Sequence, residues 1–552
     1  MPSVHACRLL LRSVVVGAAL ASSAVLPGAV AVADEPAGTP VTGRLVQAVA
    51  EAAPGDHHDH EHHDHEDGAL AWVLPAEGDA VPVDAASVAD VPAGATVELT
   101  LGDEEAVLEK KITEVPPVAA ALADPAGLTN RVTVVLVRPG GAGRDGVTEA
   151  DVVDAVNGPV AEFWAEQSGG AVTIGVTESF GWTATTADCG VGAADLWAEV
   201  AAAVGFERGP GNHLLLYLSG AARGCHYALA EVGRATTTGG NLYVQTTDPS
   251  AIAHELGHNF GLGHSSGEQC DGAVEGGSCR TVGYRDYYDV MGVSWGRMGS
   301  LNAAQAARIQ LLPAAQTQVL GVRDGEITTT LAPLSGRSGT RALRLTDAAG
   351  VDYWLEYRTA TGRDSWLGTP ADPRRLETGV LLRRAGTRLP DTSVLLDASP
   401  SPAAGWNADH QVALPVGAPV AVSGGQFSVV VQSLSAAGAV LTVTATPPPG
   451  AAPAPAAEPT GPEPTTGVVM PAAGVRAAPA PVTAGALPVE AAAGNDTGAG
   501  QPDAPALESA ADVDAYTGRL ATLGAGVLAG AGALAGALAL ALRRRRWART
   551  RP

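Results

Sequence analysis

Apolar positions recur in two different rhythms along this chain. Residues 132–137 form a near-continuous apolar run with β-branched side chains, the pattern of a buried strand. Across residues 149–167 the spacing turns helical, with Val152, Val153, Val156, Val160, Phe163 and Trp164 on one stripe. Residues 171–176 read as another strand, 193–204 as a second helix, and 214–218 and 242–245 as two further strands. Strands interleaved with helices predict an α/β or α+β domain with a mixed sheet, taken here as α+β, over residues 128–318.

Beyond about Val322 the helical period is lost. Short alternating runs at 341–345, 353–357, 380–383, 426–434 and 439–444, spaced by turn residues, predict an all-β sandwich over residues 319–446. Tyr353, Trp354 and Tyr357 are expected to pack within it. Residues 447–518 are Pro, Ala, Gly and Thr with almost no large apolar side chain, so they cannot bury enough surface to offset ordering entropy and read as an extended linker.

Both ends carry apolar runs. At the N-terminus Arg8 and Arg12 precede an apolar stretch and the small-residue sequence Ala31-Val32-Ala33, which predicts a secretory signal over residues 1–33. At the C-terminus residues 520–542 hold no charge and are followed by Arg543 to Arg546, which predicts a transmembrane helix with an arginine-rich cytoplasmic tail over residues 519–552. The expected location is therefore the cell surface, with the folded part outside and open to shedding.

Charge and cysteine content narrow the class further. A formal net charge of −24 argues against nucleic acid as a partner, because phosphate binding needs basic surface. Cys7 would leave with the signal, and Cys189, Cys225, Cys270 and Cys279 remain, an even number in an exported chain. Three pairings are open, of which Cys189–Cys225 with Cys270–Cys279 is favoured. The segment between the signal and the domain predicted over residues 128–318, residues 34–127, is expected to be propeptide-like. It contains a tract of His57, His58, His60, His62, His63 and His65 interleaved with carboxylates, which is expected to bind further divalent metal loosely.

The chemistry is concentrated in the stretch from Asp248 to His264. Asp248 can cap a helix that Pro249 opens. On that helix His254 and His258 are four apart and share a face, while Glu255 lies beside them as a general base. Gly261 can end the helix with positive φ and let the chain return His264 to the same point. Three imidazoles leave one tetrahedral position for water, the mark of a single catalytic Zn2+ rather than a structural one. No organic cofactor is implied.

The pattern HExxHxxGxxH resembles the metzincin metallopeptidases, most of all the gametolysin-like branch. The resemblance is specific over about residues 248–292. It implies a mixed sheet with an active-site helix, peptide or protein substrates, and a methionine turn under the metal, here Tyr288-Asp289-Val290-Met291-Gly292. Val293 stands where some members carry a metal-reaching tyrosine, so no such ligand is assigned. Residues 34–188 hold no cysteine, so a latency element there would have to use an Asp or His on the zinc. Two readings of other classes stay open: an adhesion protein with a silent peptidase fold, and a metal-scavenging surface protein. The sequence assigns neither substrate nor oligomeric state.

Overall fold

The strand-forming residues do not stop at the boundaries their periods imply. The computed structural model describes residues 38–51 and 68–447, apart from residues 121–122, 191, 295, 388 and 401–408. The signal segment, the histidine-rich tract, the linker beyond residue 447 and the apolar run at 520–542 lie outside the described residues.

The propeptide-like region supplies five strands: β1 (Thr39–Glu51), β2 (Ala69–Leu74), β3 (Val81–Pro82), β4 (Thr96–Leu101) and β5 (Val107–Glu114). They are followed by β6 (Asn130–Arg138), α1 (Glu149–Ala155), α2 (Ala161–Ser168), β7 (Ile174–Ala184) and α3 (Ala193–Val204). Next come β8 (Asn212–Leu218), β9 (Ala228–Glu231) and β10 (Gly240–Val244). All ten strands form one sheet, in the order β3-β2-β1-β9-β10-β8-β6-β7, with β4 and β5 branching from β1. β6, β7, β8 and β10 run parallel, while β9 is antiparallel to both β10 and β1. The helical stripe of residues 149–167 is interrupted. Gly158 departs from helical dihedrals and Pro159 lacks an amide donor, so α1 and α2 are joined by a wide turn over Val156–Val160.

A helix, α4 (Pro249–Asn259), follows, and then β11 (His264–Cys270), β12 (Cys279–Val282), α5 (Ala303–Arg308), β13 (Thr317–Gly321) and β14 (Glu326–Leu331). The remaining strands are β15 (Ala342–Thr346), β16 (Asp352–Arg358), β17 (Gly379–Ala385), β18 (Asp391–Leu396), β19 (Pro419–Val422), β20 (Phe427–Ser435) and β21 (Gly438–Ala445). They form a seven-stranded sheet, β12-β11-β18-β17-β16-β15-β13, and a four-stranded one, β14-β21-β20-β19.

This arrangement corrects the α+β, metzincin-like expectation with its separate sandwich. The described chain is predominantly β, and its helices are short. β11 and β12, on either side of the Cys270–Cys279 bridge, complete the sheet of the later strands through parallel pairing of β11 with β18. One apolar core runs through both regions, joining Trp164, Phe260 and Met291 to Leu334, Ala342 and Trp354. The strand β11 escapes the periodic reading because its sequence, HSSGEQC, is polar yet wholly buried. The expected C-terminal transmembrane helix finds no counterpart either: among the described residues no helix is long and apolar enough to cross a membrane.

Candidate metal centre

Asp248 accepts a hydrogen bond from the Ser250 amide at 2.9 Å and, with Pro249, opens α4. Every residue of the helix from Ser250 to Asn259 is buried, which is uncommon for a helix carrying two histidines and a glutamate. Those polar groups therefore need partners, and the ring orientations show where some are found. His254 Nδ1 lies 2.8 Å from the Val290 carbonyl and His258 Nδ1 2.8 Å from the Leu262 carbonyl. Each carbonyl accepts a hydrogen bond from the Nδ1–H and so leaves Nε2 as the lone-pair nitrogen that a metal requires.

The turn after α4 is set by Gly261, whose φ of +101° suits glycine, with its amide donating to the His258 carbonyl at 2.8 Å. Tertiary contacts then fix the third histidine. The Gly263 amide donates to Thr392 Oγ1 of β18 at 2.7 Å, and the His264 amide to the carbonyl of Pro390, the residue just before β18, at 2.6 Å. His264 thus opens β11 and points back at the helix. The three rings converge, with centroids 4.8 to 5.4 Å apart.

Met291 lies beneath this cluster, fully buried. Its amide donates to Asp289 Oδ1 at 2.7 Å and its carbonyl accepts from the Ser265 amide at 2.8 Å. Gly257 faces it: a Cβ on that glycine would come within 2.4 Å of the Met291 sulfur. The bridges Cys189–Cys225 and Cys270–Cys279 are both formed.

A fourth residue belongs to the cluster. Glu51, the last residue of β1, places Oε1 2.9 Å from His264 Nε2, 3.2 Å from His258 Nε2 and 3.3 Å from His254 Nε2. Glu51, His254, His258 and His264 together can hold a metal ion. The donor set fits one chemically: three neutral imidazole nitrogens and a carboxylate, with Nε2 of His254 buried and without a hydrogen-bond partner among the described residues. Burial pushes the Glu51 carboxyl up, but the imidazoles of His264 and His254 outweigh it and hold the group well below the ordinary carboxylate range. A carboxylate does sit where a latency element would, but it is a glutamate rather than the Asp or His expected. Its one sequence signal is an acid closing an apolar run, Leu45 to Ala50, that is broken only by Gln47.

Glu255 stands apart from the ligand set. Both of its oxygens are buried and have no hydrogen-bond partner among the described residues. Burial, and then the charge of Glu51, push its carboxyl well above the ordinary range. It lines a small cavity of about 20 Å³, room for roughly one water, together with Glu51, Tyr227, Ser250, His254 and Tyr284. Tyr284 had no assignable place in the sequence. Its ring lies 4.0 Å from that of His264, and its backbone φ of +59° is unusual for a side chain of that size.

His213 and His410 lie away from this centre. His213 is buried between Asn130 and Asn259, and His410 packs against Tyr287.

No protein-family model matches the chain, and no curated protein does. Among solved structures, a chaperone–substrate complex aligns at 13% identity over 35% of this chain and 29% of that one, with a TM-score of 0.17. Metalloproteinase-II from Bacteroides fragilis aligns at 11% identity over 44% of this chain and 75% of that one, with a TM-score of 0.22. At such scores neither likeness bears on the assignment, and the gametolysin-like branch finds no support. The histidine and glutamate cluster fits a metallopeptidase, and the site itself is the ground for that statement.

Proposed function

We propose that this protein is an exported zinc-dependent endopeptidase, with His254, His258 and His264 as metal ligands and Glu255 as general base. The observation that supports it is the convergence of three Nε2 atoms, two of them oriented by backbone carbonyls, beside a buried carboxylate that has no hydrogen-bond partner among the described residues. Imidazole donors suit zinc. Two disulfides favour an oxidising compartment.

Zinc, when bound, supplies a Lewis acid that acidifies a water and polarises a peptide carbonyl. The protein does the rest. Glu255, whose carboxyl is pushed up by burial and then by the charge of Glu51, can accept a proton at its carboxylate and return it to the departing amine. The walls of the cavity exclude bulk water, so the charge of that carboxylate acts in a low dielectric.

The test uses the zinc-loaded full chain and its Glu51→Ala variant, which clears the imidazoles, against a peptide library. Glu255→Gln, introduced into whichever chain cleaves, should lower the rate by about 10²- to 10⁴-fold while zinc content is kept. Absence of cleavage by both chains, or a rate that survives Glu255→Gln, refutes the peptidase reading.

A further inference from the structure

A second recess lies away from the metal centre. It encloses about 340 Å³, within the range of small-molecule sites, and shares no lining residue with the cavity around Glu255. Its wall is drawn in part from β1, from the segment that follows α3 and from the turn after β9. Arg44 comes from the first, Arg208 from the second and Arg234 from the third, and the one acid among the described lining residues is Glu231. Three guanidiniums thus face one carboxylate, in a chain whose formal net charge is −24.

Glu231 cannot neutralise all three. Its Oε1 pairs with Arg208 and accepts from Asn241 Nδ2 at 3.2 Å, while its Oε2 accepts from the Asn241 amide at 3.3 Å. Arg234 donates from Nη1 to the Pro116 carbonyl at 2.6 Å. Arg44 is half-buried yet makes no hydrogen bond or ion pair among the described residues. Burial, and then the charge of Arg208, pull its guanidinium below the ordinary range, and Glu231 offsets this only in part. A buried charge without a partner is costly, and an anion in the recess would supply one.

We propose that this recess is an anion site, in which Arg44, Arg208 and Arg234 bind a tetrahedral oxyanion of the sulfate or phosphate type. A guanidinium meets such a group through paired N–H donors in a rigid fork. Arg44 brings a fork that no protein group engages, and Arg208 and Arg234 each bring donors beyond the one already used. The recess is larger than a single such ion, so the group can enter free or at the end of a sulfated sugar. The site stands apart from the metallopeptidase reading and does not depend on it.

The experiment dialyses the full chain to equilibrium against radiolabelled inorganic sulfate and, separately, phosphate, in chloride buffer of fixed low ionic strength. Binding of at least one of them should saturate at a single ion per chain. Arg44→Gln should weaken it about 10- to 100-fold, the loss that follows removal of a hydrogen bond between charged groups. Arg44→Lys keeps the charge without the fork and should weaken it less. Melting curves show whether each variant folds, and Arg234→Gln, on a different segment, carries the test if Arg44→Gln does not. Competition by a sulfated disaccharide, with its unsulfated parent as control, separates the two sources. Displacement at lower concentration than unlabelled sulfate requires places the group on a sugar, and equal or weaker displacement identifies the free ion. Absence of saturable binding of both ions, or binding that the folded glutamine variants leave unchanged, would overturn the proposal.

Discussion

Glu51 Oε1 and His264 Nε2 lie 2.9 Å apart although 213 positions separate them in the chain. The contact brings the end of β1 to the start of β11, so two sheets meet at the candidate metal centre. The stability of the site is therefore tied to the docking of distant strands.

Metal removal should loosen this junction. A ligand that binds only the folded chain adds about 2.7 kcal/mol when present at 100 times its dissociation constant. The melting temperature of the full chain should rise on zinc addition and fall back with a chelator. His258→Ala should abolish that difference. Melting curves that zinc does not move would rule out a bound ion among these imidazoles.

Packing under the helix offers a sharper test. Gly257 and Met291 leave no room for a methyl group, since a Cβ would meet Met291 Sδ at 2.4 Å. Gly257→Ala should destabilise by about 1–3 kcal/mol, the usual range for overpacking. Adding Met291→Ala should recover part of that loss, because the sulfur that obstructs the new Cβ is removed. A double variant no more stable than the sum of the two single losses would show that the clash lies elsewhere; denaturant unfolding measures it.

Buried charge behind the methionine turn predicts a larger effect. The Arg383 guanidinium is fully buried, pairs with Asp286, and lies 3.0 Å from Glu356. Arg358 lies 2.8 Å from Glu356 and 3.2 Å from Asp364. Burial pushes Glu356 up, but the two arginines outweigh it and hold it at about 2. Arg383→Met leaves Asp286 and Glu356 short of a cation and should cost about 3–5 kcal/mol. Arg383→Met with Asp286→Leu should cost less than Arg383→Met alone, as double-mutant unfolding curves can establish.

His213 gives the fold a pH dependence. Burial between Asn259 and Asn130 holds its imidazole down to about 4, against an ordinary value of 6.5. A histidine whose folded value is depressed is favoured neutral. Its contribution is complete above about pH 6.5 and is lost as pH falls through about 4, amounting to roughly 3 kcal/mol. Unfolding free energy measured from pH 7 to pH 4 should fall more steeply for the parent than for His213→Gln. Equal slopes would show that this imidazole does not titrate on unfolding.

The spacing His254, Glu255, His258, Gly261 and His264 determined on its own which side chains could meet, because helix geometry and a glycine turn act within one turn or two of chain. The alternation of residues 341–345 or 439–444 likewise announced strands, since a side chain's face follows from its position in the pleat. What the sequence could not announce was partnership across long separations. β1 reads as one apolar run among several, and nothing local says that it pairs with β9 or that Glu51 ends among three imidazoles. HSSGEQC is too polar to look like the buried strand that joins two regions into one sheet. Register between distant strands is set by which apolar faces are covered and by loop closure, and neither is written in any short window. Which three imidazoles could meet was therefore local information, whereas the placing of His264 against residues 390–392 and of Glu51 beside it was decided by the tertiary fold.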